Sequence, residues 1–182
     1  MQRLVTDAGP GARSPGPGPV GEVHAHVALI PMLRAGPYLA HDISPVSGMP
    51  AREMTEAGLR VKFLPPLLSA PWRAWMFAGV GYARTYTPSH HVEVASPGTM
   101  FSTDVFVAGA GGGILDVPVG FGLGYRPHRP WELFAELRGG IGVLFTGGMY
   151  SDAQPFCTCP VAPFGGKDSF ALSLSVGVSF DP

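Results

Sequence analysis

Ser169-Phe170-Ala171-Leu172-Ser173-Leu174-Ser175-Val176-Gly177-Val178-Ser179-Phe180 alternates without a break. Phe170, Leu172, Leu174, Val176, Val178 and Phe180 fall on one side; Ser169, Ala171, Ser173, Ser175, Gly177 and Ser179 fall on the other. A period of two is the repeat of a β-strand, whose successive side chains point to opposite faces. Six apolar side chains left in water would forgo about 9–18 kcal/mol, so that face must meet a protein core or lipid. The second face is small and uncharged, unlike a strand face that meets bulk water.

The same alternation recurs upstream. Residues 54–64 set Thr55, Ala57, Leu59, Val61 and Phe63 against Glu56, Gly58, Arg60 and Lys62. Residues 112–126 set Leu115, Val117, Val119, Phe121, Leu123 and Tyr125 against Asp116, Pro118 and three glycines. Residues 131–145 set Trp131, Leu133, Leu137, Ile141 and Val143 against Glu132, Glu136 and Arg138. With residues 72–86, residues 24–43 (interrupted by Pro31 and Pro37) and the closing strand, six strands are read directly. Residues 24–43 are long enough for two, and residues 101–109 offer another.

Composition narrows the class. The 182 residues are only 14% charged, with a net charge of −1, 26 glycines and 20 prolines, so turns are favoured over long helices. Mean hydropathy is +0.21, high for a chain with so many polar strand positions. A near-neutral chain has no electrostatic footprint for nucleic acid. Residues 139–151 and 153–166 are the longest stretches free of Asp, Glu, Lys and Arg, and neither reaches the ~18–20 apolar residues of a spanning helix. An apolar chain without such a helix either buries a core or spreads a lipid face over alternate strand residues.

Connection lengths and aromatics favour the second option. Residues 126–130 and 65–71 are short turns, whereas residues 44–53, 87–104 and 146–168 are longer segments; short turns on one rim and long loops on the other mark an outer-membrane barrel. Up-and-down pairing gathers Trp72, Trp75, Tyr125, Trp131 and Phe180 at the short-turn rim as an interfacial belt, with Tyr86, Tyr150 and Tyr38 at the other end. A twelve-residue strand is about 40 Å long and, tilted by about 45°, rises about 28 Å, one hydrocarbon thickness. The expected fold is therefore all-β: an antiparallel, up-and-down transmembrane β-barrel over residues 22–182, preceded by a disordered Pro/Gly-rich leader over residues 1–21. Residues 1–7 lack the apolar core of a signal peptide, so the expectation for an exported barrel is a start truncated upstream.

Gly120-Phe121-Gly122-Leu123-Gly124-Tyr125-Arg126, Glu132-Leu133-Phe134-Ala135-Glu136-Leu137-Arg138-Gly139-Gly140 and Val176-Gly177-Val178-Ser179-Phe180 resemble strands of the small OmpA/OmpX-like outer-membrane β-barrel family of Gram-negative bacteria. The resemblance extends over most of residues 24–180. It implies eight strands, a place in the bacterial outer membrane, lipid as a partner, and recognition of the terminal aromatic by the barrel-assembly machinery.

Arg34, Glu56, Arg60, Lys62, Asp116, Glu132, Glu136 and Arg138 share the polar face and are expected to fill the lumen as an ion-paired ladder. Glu132 and Glu136 are about 13 Å apart along the strand, too far for the carboxylate pair of a glycosidase. His24 and His26 share a strand face and His90-His91 sit in a loop, but three or four converging metal ligands are not apparent, and the histidines are expected to be exposed. Cys157-Thr158-Cys159 lies in the longest loop, where a local bridge, free thiols and a soft-metal site all stay open. Gly109-Ala110-Gly111-Gly112-Gly113 lacks the Gly-Lys-Ser/Thr ending of a phosphate loop. The expectation is a non-enzymatic barrel without cofactor or metal, with a structural or adhesive role or a narrow pore, and an unidentified surface ligand. The alternative is a soluble lipocalin-like barrel with its aliphatic rows turned inwards around an apolar small molecule.

Overall fold

The computed structural model describes residues 2–7, 17–46, 49–95, 102–127, 130–146 and 169–180. These form eleven strands and, among the described residues, no helix: β1 (Gln2–Asp7), β2 (Gly18–His24), β3 (Val27–Ile30), β4 (Leu33–Val46), β5 (Met49–Phe63), β6 (Trp72–Thr87), β7 (His90–Ala95), β8 (Ser102–Val107), β9 (Ala110–Tyr125), β10 (Trp131–Thr146) and β11 (Ser169–Phe180). The strictly alternating segment is β11. It pairs with β10 through an uninterrupted antiparallel register from Trp131↔Phe180 to Gly142↔Ser169.

One antiparallel sheet runs in the order β2-β1-β11-β10-β9-β6-β5-β4-β3, and β2 also pairs with β4. β2 is thus bonded to β1 at Gln2↔Pro19 and Arg3↔Gly18, and to β4 from Val20↔Asp42 to His24↔Tyr38. The sheet is curled like a barrel wall. β3 continues the line of β2 along the same edge of β4, meeting Leu33, Arg34 and Ala35. β7 and β8 pair only with each other, as a separate hairpin between β6 and β9.

Proline and glycine are placed by backbone needs. Pro118 lies within β9 opposite Gly140 of β10, while the β6–β9 ladder skips from Ala78↔Val119 to Gly81↔Asp116. A residue without an N–H cannot donate, and the gap falls on the β6 side, leaving the β10 pairing continuous. At the far end of β10 the register slips between Val143 and Thr146, and Leu144 in that bulge takes φ 54°, a conformation rare outside glycine.

Curling crowds the inner face, and two glycines make room. A Cβ on Gly122 would lie 2.3 Å from Cε2 of the Trp75 indole, and one on Gly81 would lie 2.2 Å from the Tyr38 hydroxyl. The inner glycines of β6 and β9 are slots for large inward side chains.

Three expectations change. The leader expected to be disordered over residues 1–21 contains β1, paired with β11 from Gln2↔Leu174 to Asp7↔Ser169, and the first residues of β2; backbone pairing holds a segment whose composition alone reads as unstructured. Residues 44–53, expected as a long connection, belong mostly to β4 and β5, with Ile43↔Glu53, Ser44↔Arg52 and Val46↔Met49 in register. Pro45 and Pro50 disguised this hairpin, whose inner row Asp42, Ser44 and Arg52 is buried. Residues 101–109 supply β8, which stands outside the main sheet.

Gly122→Ala is expected to destabilise the refolded protein by about 1–3 kcal/mol in denaturant titration, because the added methyl collides with a ring packed on both sides. Gly21→Ala, with nothing within 4 Å of its new Cβ, is expected to stay within about 0.5 kcal/mol.

Candidate functional site

The two faces of the sheet differ in the reverse sense from a water-soluble core. Glu56, Arg60, Asp116, Glu136 and Arg138 are buried, Glu56 completely, whereas Leu59, Phe121, Leu133, Leu174 and Val176 are exposed, Val176 to 77%. The parity of each strand accounts for this. Glu56, Arg60 and Lys62 occupy even positions of β5, as do Glu132, Glu136 and Arg138 on β10 and Asp116 on β9, and all of these positions face the concave side.

Two guanidinium groups organise the interior. Arg138 of β10 donates from Nη2 to Asp116 Oδ2 at 2.9 Å and to Glu56 Oε1 at 2.5 Å, and its Nη1 lies 3.4 Å from Glu22 Oε2. Arg60 of β5 donates from Nη1 to Glu136 Oε2 at 3.1 Å and lies 3.0 Å from Glu22 Oε1. Lys62 Nζ is 3.1 Å from Glu136 Oε1, which also accepts from Trp75 Nε1 at 2.8 Å. Tyr38 donates its hydroxyl proton to Glu56. β5 and β10 are separated in the sheet by β6 and β9, and β2 lies on the other side of β4. The Arg60–Glu136, Arg138–Glu56 and Arg138–Glu22 pairs therefore cross the interior.

Aromatic rings complete the packing around these charges. Arg60 stacks 4.7 Å from the Phe77 centroid, Lys62 Nζ lies 4.3 Å from that of Trp75, and Arg138 lies 5.3 Å from that of Tyr38. Desolvated cations over ring faces gain quadrupole attraction that partly offsets lost hydration. Three cations, Arg60, Lys62 and Arg138, stand among four carboxylates, Glu22, Glu56, Asp116 and Glu136, and each carboxylate meets at least one of them. Such pairing is the condition for keeping charge away from water.

Of the residues expected in the lumen, Glu56, Arg60, Lys62, Asp116, Glu136 and Arg138 meet in this network. Glu132 lies apart, with Oε2 3.6 Å from Arg126 Nε and 4.0 Å from Arg73 Nη1. Arg34 lines a cavity at the short-turn rim with Arg73 and Arg126. The sequence reading missed Glu22, Tyr38 and Trp75.

The belt loses one expected member. Trp72 and Tyr125 pair in register with ring centroids 4.8 Å apart, and Trp131 and Phe180 do so at 5.1 Å; all four face outwards. Trp75 is instead 2% exposed on the inner face, since three residues from Trp72 is an odd step along a strand. Tyr38, expected at the opposite end, is also buried inside. Tyr86 is exposed, and Tyr150 lies outside the described residues.

The histidines also differ from expectation. His24 and His26 are not surface side chains: their rings lie 4.8 Å apart and both contact Arg60, at 2.6 Å and 3.3 Å. His91 is exposed, 3.0 Å from Asp104 across the β7–β8 hairpin, and so is His41 on β4. Among the described residues no three His, Cys, Asp or Glu side chains gather as a metal site; Cys157 and Cys159 lie outside those residues.

No protein family, curated protein or solved structure matches the chain. The interior holds a network of ion pairs in which Glu22, Glu56, Asp116 and Glu136 each meet a cation. Its carboxylates are held by cations rather than aimed at open space.

Arg138→Met removes the cation shared by Glu56, Asp116 and Glu22 and is expected to destabilise the refolded protein by about 3–5 kcal/mol in urea titration. Arg84→Met, on the outer face of β6, is expected to change stability by less than about 0.5 kcal/mol.

Proposed function

We propose that the chain is an eight-stranded antiparallel β-barrel spanning a bacterial outer membrane, with a plugged interior and a structural or adhesive role carried by its long-loop end. The observation that carries this reading is the reversed polarity of the wall: ion pairs inside, aliphatic and aromatic side chains outside. Water does not favour that arrangement, whereas a hydrocarbon solvent does.

The eight-strand count is supported by β2, which has partners on both edges and so joins β1 to β4. With β3 as the continuation of β2, the ring comprises β1, β2, β4, β5, β6, β9, β10 and β11. The outer face also supports a bilayer of ordinary thickness. Along β6 the outward row Trp72, Met76, Val80 and Tyr82 is apolar and gives way to Arg84; on β5, Phe63, Val61 and Leu59 give way to Thr55 and Glu53. The Trp72–Tyr82 stretch is about 33 Å long and rises about 25 Å at a tilt of about 40°, the height of a barrel's apolar band. Trp72, Tyr125, Trp131 and Phe180 would then lie at one interface. Surface contacts fall to the opposite rim, beyond which the β7–β8 hairpin extends. Lipid and the barrel-assembly machinery are the implied partners.

A narrow pore is the second reading, favoured by the row of charged side chains, Glu56, Arg60 and Lys62, that β5 presents to the interior. Conduction would require the pairs of Arg60 and Arg138 to part. The soluble lipocalin-like alternative needs aliphatic rows around an apolar hollow, and an interior of Arg60, Glu136 and Arg138 does not fit it.

Fractionation of expressing cells is expected to recover the protein in outer membranes, with a mobility on gels that shifts only after boiling. Recovery as a soluble monomer overturns the proposal. In planar bilayers the purified protein is expected to stay silent; steady single-channel conductance would favour the pore. Leu174→Arg, at mid-height and 55% exposed, is expected to cost about 2–4 kcal/mol on folding into vesicles, and Val143→Arg near the long-loop rim about 0–1 kcal/mol. Equal tolerance at both positions would contradict a lipid-facing wall.

A further inference from the structure

One imidazole nitrogen in the interior faces two partners that it cannot satisfy together. His24 Nδ1 lies 2.6 Å from Arg60 Nη2 and 3.4 Å from Glu22 Oε1. A guanidinium only donates and an ionised carboxylate only accepts. The nitrogen carries in its ring plane either a lone pair or a proton, never both. With the lone pair it accepts from Arg60 and turns one acceptor against another at Glu22. With the proton it donates to Glu22 and repels Arg60. The shorter contact assigns the lone pair to this arrangement, a neutral His24 whose proton is on Nε2. His26 stands beside it, ring centroids 4.8 Å apart, and its Nε2 accepts from Arg60 Nε at 3.3 Å.

The charges around the ring decide what a proton does there. Glu22 and His26 come from its own run of chain, Arg60 and Lys62 from β5, Arg34 from β4, and Glu136 and Arg138 from β10. Tyr38, the register partner of His24 on β4, gives its hydroxyl proton to Glu56. Phe134 of β10 covers the ring, with 5.8 Å between centroids. A second cation 2.6 Å from a guanidinium forces one of the two to move. Arg60 has a place to go, because its Nη1 is already 3.1 Å from Glu136 Oε2. Glu22, 3.0 Å from the same Nη1, then exchanges guanidinium for imidazolium. The exchange unties β2 from β5. β2 joins β1 to β4 and meets β1 at Gln2↔Pro19 and Arg3↔Gly18, so the loosening falls on a connecting strand of the curled sheet.

We propose that His24 is a proton-operated latch. Neutral, it holds Arg60 and ties β2 to β5 across the interior; protonated, it takes Glu22 and releases Arg60. Imidazole is the side chain whose charge ordinarily changes between about pH 5 and 8, whereas carboxylates ordinarily stay ionised down to about pH 4–5. Mild acid therefore works the latch and leaves the Arg138–Glu56 and Arg138–Asp116 pairs in place. The latch stands on these contacts, whatever solvent surrounds the outer face.

The test is nitrogen-15 NMR of the full chain, folded in a non-ionic detergent, at pH 7.5 and pH 5.0, with amide hydrogen exchange run in parallel. The His24 imidazole is assigned through its backbone correlations. At pH 7.5 its Nδ1 is expected to be unprotonated and its Nε2 protonated; at pH 5.0 both are expected to carry protons. Exchange protection over β2, corrected for the intrinsic rate, is expected to fall at least tenfold between the two, while the paired residues of β10 change less than twofold. In His24→Asn the side-chain oxygen accepts from Arg60 at either pH and takes no proton, so β2 is expected to keep its protection in acid. His41→Asn, at an exposed position of β4, is expected to respond as the unmodified protein does. Where His24→Asn does not fold, the tautomer and the protection of the unmodified protein decide alone. A proton on Nδ1 at pH 7.5 or none at pH 5.0 overturns the proposal. So does unchanged β2 protection, an equal loss over β10, a loss that persists in His24→Asn, or one that His41→Asn also abolishes. Because no bilayer is used, failure of the latch is distinguishable from failure of the membrane reading.

Discussion

Charge kept away from water must be neutralised where it lies, and that constraint shapes the inner half of this protein. Arg60 and Arg138 meet it by reaching across the interior to carboxylates on strands that are not their neighbours: Glu136, Glu56 and Glu22. Because the partners sit on distant strands, the network closes only when the sheet is curled and in register. A slip of one residue on β5 or β10 would turn Glu56, Arg60, Glu136 and Arg138 outwards and the aliphatic row inwards. The pattern that hides the charges therefore also fixes the pairing of the strands.

Packing follows from the same demand. Long side chains in a narrow interior need space, and the glycines opposite Trp75 and Tyr38 supply it. The rings they admit cover the cations and donate to the carboxylates, as Trp75 does to Glu136 and Tyr38 to Glu56. The outer face has no comparable network. Its residues contribute apolar area, which gains nothing in water and is well matched to hydrocarbon.

Much of this was legible in the sequence, for a physical reason. Strand parity decides which face a side chain takes, so alternation in residues 54–64, 112–126, 131–145 and 169–180 was enough to gather Glu56, Arg60, Lys62, Asp116, Glu136 and Arg138 on one side. The same rule, applied strictly, separates Trp75 from Trp72, and it would have found Glu22, His24 and His26 alternating with Val23, Ala25 and Val27. Glu22 was overlooked because it adjoins a Pro/Gly-rich stretch that looks unstructured, and the shared face of His24 and His26 was read without its direction. What parity does not carry is partnership across the interior. That Arg138 meets Glu22, or that β1 fills an edge of β11, depends on how the sheet curls, and local sequence holds no record of it. Prolines misled in one direction: Pro37 lies within β4, and Pro45 and Pro50 belong to the strands of a hairpin expected as a loop, whereas Pro118 was read within its strand.

The interior and the short-turn rim divide the polar chemistry between them. The first is a network of ion pairs that crosses between distant strands; the second gathers Arg34, Arg73 and Arg126 around an open bowl. The central claim is the reversal of inside and outside, and brominated-phospholipid quenching of tryptophan fluorescence tests it most directly. In vesicles, the unmodified protein should be quenched strongly through Trp72 and Trp131. A Trp72→Phe, Trp131→Phe variant that keeps only Trp75 should be protected. Equal quenching of both proteins, or none in the unmodified chain, would contradict a wall that turns its apolar face to lipid and its charges inwards.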